Sequence, residues 1–494
     1  MTSPPEAPAA NAHLEAEGVG GRVVRGSATR ILAMAATNVL VAIGAVVLLR
    51  YLGVDDFGRY GTVMALVAIV QGVTDAGLTI TGTRELTNVD GEERRQLLAH
   101  VLGLRIVLTA VGMVGAVVFA VAVGYDSQLV VGTALAGAGV FLLSVQIAML
   151  LPLSVELRNG ALAINDILRQ GVMVVGWVIL VVAGAGLDWF FAAQILVGVL
   201  MIGLVPLLLD RHHIVRPRWE ARQLRALAAV GLPIAVAGVV AIIYYRVLTV
   251  LVSLLSSERQ SGLFVSASRV FEVAYAVPLV LVTVVLPVMA VAARSDLARL
   301  RYVTQRMTEA MSLAGVALGL VIAGAAEPII VLLGGSQYRD AAPVLRILAV
   351  ALVSMFTAAS WSPVLIATHN QRALALCSAI GLAVVVGLGF ALIPGMDAVG
   401  AATAFAIADW FLMLTLLVVL RRVGHGTHLD FRFLLRLVPV TAVACAVVFT
   451  GWSTPVVCTA VGAVVFAVGT ILTGLIPEEV RDAVRHGRSL RWGR

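Results

Sequence analysis

The chain has 494 residues, of which 60% are hydrophobic and 13% charged, with a mean hydropathy of +1.00. A soluble domain is usually about one-quarter charged, so the composition excludes an ordinary soluble fold. The net charge of +7 leaves nucleic acid open as a partner only until the positions of the charges are considered.

Met1–Gly21 is polar and rich in Ala, Pro and Gly, and residues 1–29 are expected to form a disordered cytoplasmic tail. No cleavable signal peptide is expected there. Apolar runs of about 20 residues then recur to the end of the chain, the pattern of a polytopic helical membrane protein. They are continuous and lack the alternation of a β-barrel. The fold class expected is all-α, with about fourteen transmembrane helices.

The first six spans lie near 30–50, 61–82, 100–123, 128–151, 163–185 and 189–209 and form an N-lobe, 30–209. Leu49–Gly61 joins the first two as a short outside hairpin. Its glycines suit a tight turn, and Arg50, Tyr51 and Tyr60 suit the headgroup layer. A basic cytoplasmic linker, 210–227, follows. The C-lobe, 228–420, holds spans near 228–254, 263–291, 307–333, 343–367, 373–394 and 399–420. Two further spans, 434–450 and 456–476, occupy 421–476, and 477–494 is a basic cytoplasmic tail. Gly58-Arg59-Tyr60 enters span two as Gly262-Leu263-Phe264 enters span eight. Together with the central linker, this suggests two repeated six-helix lobes.

All 35 basic residues are Arg. With the N-terminus inside, 28 face the cytoplasm, five face outside, and Arg246 and Arg269 stay within spans. This asymmetry fixes the orientation, turns the basic charge toward the anionic inner leaflet, and removes the case for nucleic acid. Cys377, Cys445 and Cys458 lie in apolar runs without metal or disulfide spacing. There is no Walker loop and no HExxH motif, and no extramembrane domain large enough for an enzyme site. A transporter without cofactor or metal is expected.

Charges within a bilayer are costly and usually meet a partner or a cavity. Gln71 and Asp75 share a face of span two. Asp75 suits either a cavity acid that binds a cation or gates the inner mouth, or a hydrogen bond to a neighbouring helix. Arg269 and Glu272, three apart on span eight, form either a self-neutralising pair or a phosphate contact with its counter-ion. Arg246 follows Tyr244 and Tyr245 and has the same phosphate chemistry, or snorkels to the interface. Asp409 lies mid-span, as a coupling-ion site or a helix–helix hydrogen bond. Asn38 suits a sugar or a neighbouring helix, and Tyr245 offers an aromatic surface for a sugar.

Several segments carry a family resemblance. RYLGVDDFGRYG (Arg50–Gly61) and the TDAGL end of span two resemble the start of the Wzx-type polysaccharide-biosynthesis flippases, in the multidrug/oligosaccharidyl-lipid/polysaccharide exporter superfamily. Gly262–Pro287, Val331–Leu348 and Leu392–Asp409 resemble that family's eighth helix and its entries to the tenth and twelfth. The similarity runs over about residues 22–476.

The resemblance implies a central cavity and alternating access. The implied substrate is a polyprenyl-diphosphate-linked oligosaccharide, moved across the bacterial cytoplasmic membrane. It implies a proton or sodium ion as a candidate coupling partner, and a polysaccharide polymerase and glycosyltransferases as candidate protein partners. Many relatives carry Arg-x-Asp where this chain has Arg246-Val247-Leu248, so coupling here would need another acid: Asp75, Glu272 or Asp409. A cation-coupled multidrug exporter and a lipid II flippase are the alternatives. A reporter active only outside the cytoplasm is expected to be silent when fused after Arg494 and active when inserted at Asp126; the reverse pattern would overturn the orientation.

Overall fold

The computed structural model describes residues 17–209, 214–422 and 432–475. Among these, every regular element is helical. The first lobe comprises α1 (Glu17–Thr87), α2 (Gly91–Ala122), α3 (Ser127–Met149), the short α4 (Leu151–Val155), α5 (Asn159–Val182) and α6 (Leu187–Leu208). The second comprises α7 (Ala221–Leu255), α8 (Glu258–Ser295), α9 (Leu297–Gly324), α10 (Ala326–Gly334), a 3₁₀ turn (Ser336–Ala341), α11 (Ala342–Ala359), α12 (Ser362–Ala367) and α13 (Gln371–Arg422). Then come α14 (Arg432–Phe449) and α15 (Pro455–Leu472), which pack on α9 through Leu437, Val440, Phe466, Val316 and Leu320.

Among the described residues, eleven helices are long and apolar enough to cross a membrane. Two of them fold back on themselves. α1 breaks at Gly53, with φ 74° and ψ −178°, and Trp177 lies against both Gly44 before the break and Tyr60 after it. α13 breaks at Asp397, with φ 51°, and Gly381 and Leu412 then meet across the fold. Splitting these two, and adding the 38-residue α8 with its mid-helix charges, gives fourteen passes among the described residues. The tail expected over 1–29 is helical from Glu17 onward, as a continuation of α1. Residues 1–16, the start of the linker at 210–213, the loop 423–431 and the basic tail 477–494 lie outside the described residues.

Local chemistry marks several helix starts. Asp126 accepts from Leu129 N at 2.9 Å before α3, and Asp296 from Arg299 N at 2.9 Å before α9. Glu92 and Glu93 sit in the first turn of α2, where the helix dipole favours acid. The turns at Gly53, α2–α3, α5–α6, α7–α8, the 3₁₀ segment and Asp397 share one end of the bundle, here called the hairpin end. The even number of passes brings the first and last helices to the other, terminal end.

Tyr60, expected in the headgroup layer, is 3% exposed. It stacks on Phe191 at 5.8 Å and meets Trp177 edge-on at 6.3 Å. The break two turns earlier points this face of α1 into the lobe. The break itself is a glycine-only conformation, because ψ near 180° at positive φ is closed to side chains. A Cβ at Gly53 would meet nothing closer than Gln337 Oε1 at 3.8 Å, so the constraint is conformational and not one of space. Gly53→Ala is expected to lower stability by about 1–3 kcal/mol, read as a lower melting temperature in detergent; an unchanged melt would contradict it.

Candidate transport cavity

A cavity of about 640 Å³ lies at the junction of the two lobes. The second limb of α1 contributes Gln71, Gly72, Asp75 and Thr79; α7 contributes Ile242, Tyr245 and Arg246; α8 contributes Ser268, Phe271, Glu272 and Tyr275. Phe405 of α13 and Leu348 of α11 close its far side. At 1.5 Å per residue, Tyr245 lies about 15 Å from the hairpin end and Asp75 about 33 Å. The cavity therefore runs from the hairpin half through the middle of the bundle toward the terminal end.

Two groups of charges meet there. Glu272 accepts from Arg246 Nη1 at 2.6 Å and from Arg269 Nη1 at 3.0 Å, so one carboxylate is shared by two guanidiniums. All three are partly exposed, at 30% for Arg246, 24% for Arg269 and 36% for Glu272. Arg269 and Glu272 meet because they lie three apart on one face of α8. Arg246 joins them from α7, and its carboxylate partner is thus 26 residues away in sequence. Arg246 is thus paired with an acid although none follows it two residues on, at Leu248.

On the opposite wall, Asp75 accepts from Arg105 Nη1 at 2.7 Å and from Thr79 Oγ1 at 2.5 Å. Arg105 also donates to Thr79 Oγ1 at 3.1 Å. The Arg105 side chain is 1% exposed, and its Nε and Nη2 lack a hydrogen-bond partner among the described residues. Arg105 is one of the 28 arginines that the topology rule assigns to the cytoplasmic side, yet it is interior: α2 starts at Gly91, so Arg105 lies fourteen residues inside it. The available signal was its flank, the uncharged run Val101–Leu104 on one side and Ile106–Val123 on the other.

Asp409 stands apart from both groups. It is 4% exposed, accepts from Ser354 Oγ at 2.7 Å and Tyr244 OH at 3.4 Å, and borders a smaller cavity of about 160 Å³. Tyr245 and Tyr275 line both cavities and form the wall between them. Asn38 is half-buried on α1 and is not among the residues lining the main cavity. Arg269 too is not among the residues lining the main cavity; it reaches that wall through Glu272 and itself lines an apolar groove between α1, α8, α9 and α10. Among the described residues no group of three or more His, Cys, Asp or Glu is placed to hold a metal.

The profile of the family described as polysaccharide biosynthesis protein matches residues 47–343, more than half of the chain. The chain belongs to the polysaccharide biosynthesis protein family. No curated protein matches it. Among solved structures it is similar to the lipid II flippase MurJ in an inward closed conformation, with TM-score 0.77 and 13% identity over 91% of this chain and 99% of that one. It is also similar to an inward-facing multidrug resistance MATE family transporter of the MOP superfamily, with TM-score 0.66 and 15% identity over 80% of this chain and 98% of that one. An outward-facing MATE structure gives TM-score 0.56 and 17% identity over 83% and 96%. These likenesses show a shared fold. The family member is thus a multi-pass membrane protein with the fold seen in MurJ and the MATE transporters.

Removing one member of a buried charge pair strands the other, whereas removing both does not. Arg105→Ala is expected to destabilise the family member by about 1–3 kcal/mol. Adding Asp75→Ala should restore part of that loss, because the stranded carboxylate is gone. A double-mutant cycle of melting temperatures checks this, and strict additivity would show that the pair carries no coupling.

Proposed function

We propose that the protein flips a polyprenyl-diphosphate-linked oligosaccharide from the inner to the outer leaflet of the bacterial cytoplasmic membrane, by alternating access, for surface polysaccharide export. The observation that carries this reading is the cavity between the lobes, with Arg246 and Arg269 sharing a single carboxylate. The group of three carries one net positive charge, and the Asp75–Arg105 pair adds none. A diphosphate can compete for the two guanidiniums, since each keeps further N–H donors in a fork that fits phosphate oxygens.

The rest of the cavity suits the remainder of that substrate. Tyr245, Tyr275, Phe271 and Phe405 offer aromatic faces to sugar rings, and Gln71 and Ser268 offer polar contacts. A volume of about 640 Å³ fits a headgroup and leaves the lipid tail in the bilayer. A cationic drug would meet a net positive wall, which weighs against the multidrug reading. Both termini are cytoplasmic in this scheme, so the terminal half of the bundle faces the cytoplasm and receives headgroups gathered from the inner leaflet.

Asp75 is engaged by a buried arginine and suits a gate more than a free cation site. Asp409, held only by hydroxyls, remains the acid best suited to carry a coupling ion or proton. Glycosyltransferases and a polysaccharide polymerase are the partners this function requires before and after transport.

Purified protein in liposomes with fluorescent lipid-linked oligosaccharide tests the reading. Arg246→Ala and Arg269→Ala are each expected to slow flipping about tenfold, the loss of one charge-assisted phosphate contact, without loss of protein from the membrane. Undiminished flipping in both variants would sink the phosphate role.

A further inference from the structure

The repeat signalled by Gly58-Arg59-Tyr60 and Gly262-Leu263-Phe264 brings its two copies into direct contact. A Cβ at Gly58 would collide with the Glu258 carbonyl oxygen and lie 2.7 Å from Gly262 N. A Cβ at Gly262 would collide with the Val54 carbonyl oxygen. Glu258 is four residues before Gly262, and Val54 is four residues before Gly58. Each glycine thus admits the backbone one turn before the other, at a constant offset of 204 residues. The same offset relates the next contact: Gly61 faces Val265, whose Cγ2 would lie 2.6 Å from a Cβ there. Such a self-complementary contact is what a two-fold axis between repeats produces, and small residues are what let two membrane helices approach backbone to backbone.

One side chain breaks the symmetry. Arg59, whose counterpart is Leu263, bonds Glu258 of the other lobe at 2.9 Å and Gln128 of its own at 2.8 Å. It also lies 3.4 Å from Asp56 and 3.9 Å from Asp126. Beside it, Tyr125 OH and Ser253 Oγ, again one from each lobe, are 2.6 Å apart. The cavity lies on the terminal side of all these contacts.

We infer that the Gly58–Gly262 contact, clamped by Arg59, is the release gate of the transporter: the layer that seals the hairpin end while the cavity is loaded and separates when the substrate leaves. Within the alternating-access reading on which it rests, the gate closes because two glycines permit backbone contact, and it opens against the ion pairs of Arg59 and the inter-lobe hydrogen bonds beside them.

Spin labels at Asp188→Cys in the first lobe and Met396→Cys in the second, both exposed at the hairpin end, measure the separation of the lobes. The background is full-length protein with Cys377, Cys445 and Cys458 replaced by alanine. Gly58→Leu and Gly262→Leu should each convert most molecules to a longer separation, without any substrate present. Arg59→Gln, which adds no volume, should raise the share of that separated population about five-fold, the loss of a modest ion-pair network. A distance distribution unchanged in folded glycine variants would overturn the gate. Should the glycine variants not fold, an unchanged distribution in Arg59→Gln would overturn it. Since the distances need no substrate, a correct gate with no oligosaccharide flipping would refute the substrate and leave the gate standing.

Discussion

Glu272 is the group on which the cavity depends. A lone arginine in hydrocarbon costs roughly 2.5–3.5 kcal/mol even on insertion scales, and two like charges on adjacent helices would repel each other as well. One carboxylate between Arg246 and Arg269 offsets both penalties and leaves a net positive charge. It also ties α7 to α8, so the wall of the C-lobe that faces the cavity is set by an electrostatic contact. The opposite wall follows the same rule in a neutral form, with Arg105 buried behind Asp75. One wall is left with charge to offer and the other is self-contained.

The hairpin end obeys a different constraint. There the lobes meet backbone to backbone through Gly58 and Gly262, with Val265 against Gly61 and Phe57 edge-on to Tyr338 beside them. Ion pairs at the rim add holding strength that water can replace. Tyr338 OH donates to Gly53 O at 2.6 Å, and Arg50 donates to the carbonyl oxygens of Leu332 and Leu333. The turn of α1 is thereby attached to the 3₁₀ segment and α10 of the other lobe. A helix break that only glycine can adopt therefore sits inside the same contact layer as the two glycines of the repeat.

The passes were legible because each requires a continuous apolar run, and the end of each run is marked by charge, Gly or Pro. Asp397 shows how little more is needed: a positive-φ residue between Pro394 and Gly400, holding Ser256 Oγ at 2.5 Å, splits one 52-residue helix into two. Arg105 was not legible as a buried group. A single arginine near a span end satisfies a rule about topology as well as one about burial, and only the start of α2 at Gly91 separates the two. Tyr60 failed for a related reason: an amphipathic side chain near a turn suits the interface, yet the angle of the break turned it into an aromatic core. Arg246 and Glu272 could each be named from sequence, but their pairing spans two helices and has no local signature.

That this is a polytopic helical membrane protein, how often it crosses, which stretches repeat and which charges must find partners can all be read along the chain, because hydrocarbon penalises every unpaired charge and backbone group wherever they fall. Which partner each charge took, that Arg105 is interior, and that the glycines of the repeat touch were set by how the helices pack. Those outcomes depend on the rotation and crossing of helices that are tens or hundreds of residues apart, and in a bilayer an apolar surface packs on lipid about as readily as on protein. Hydrophobicity therefore fixes the passes but leaves their neighbours to be selected by small residues and buried charge.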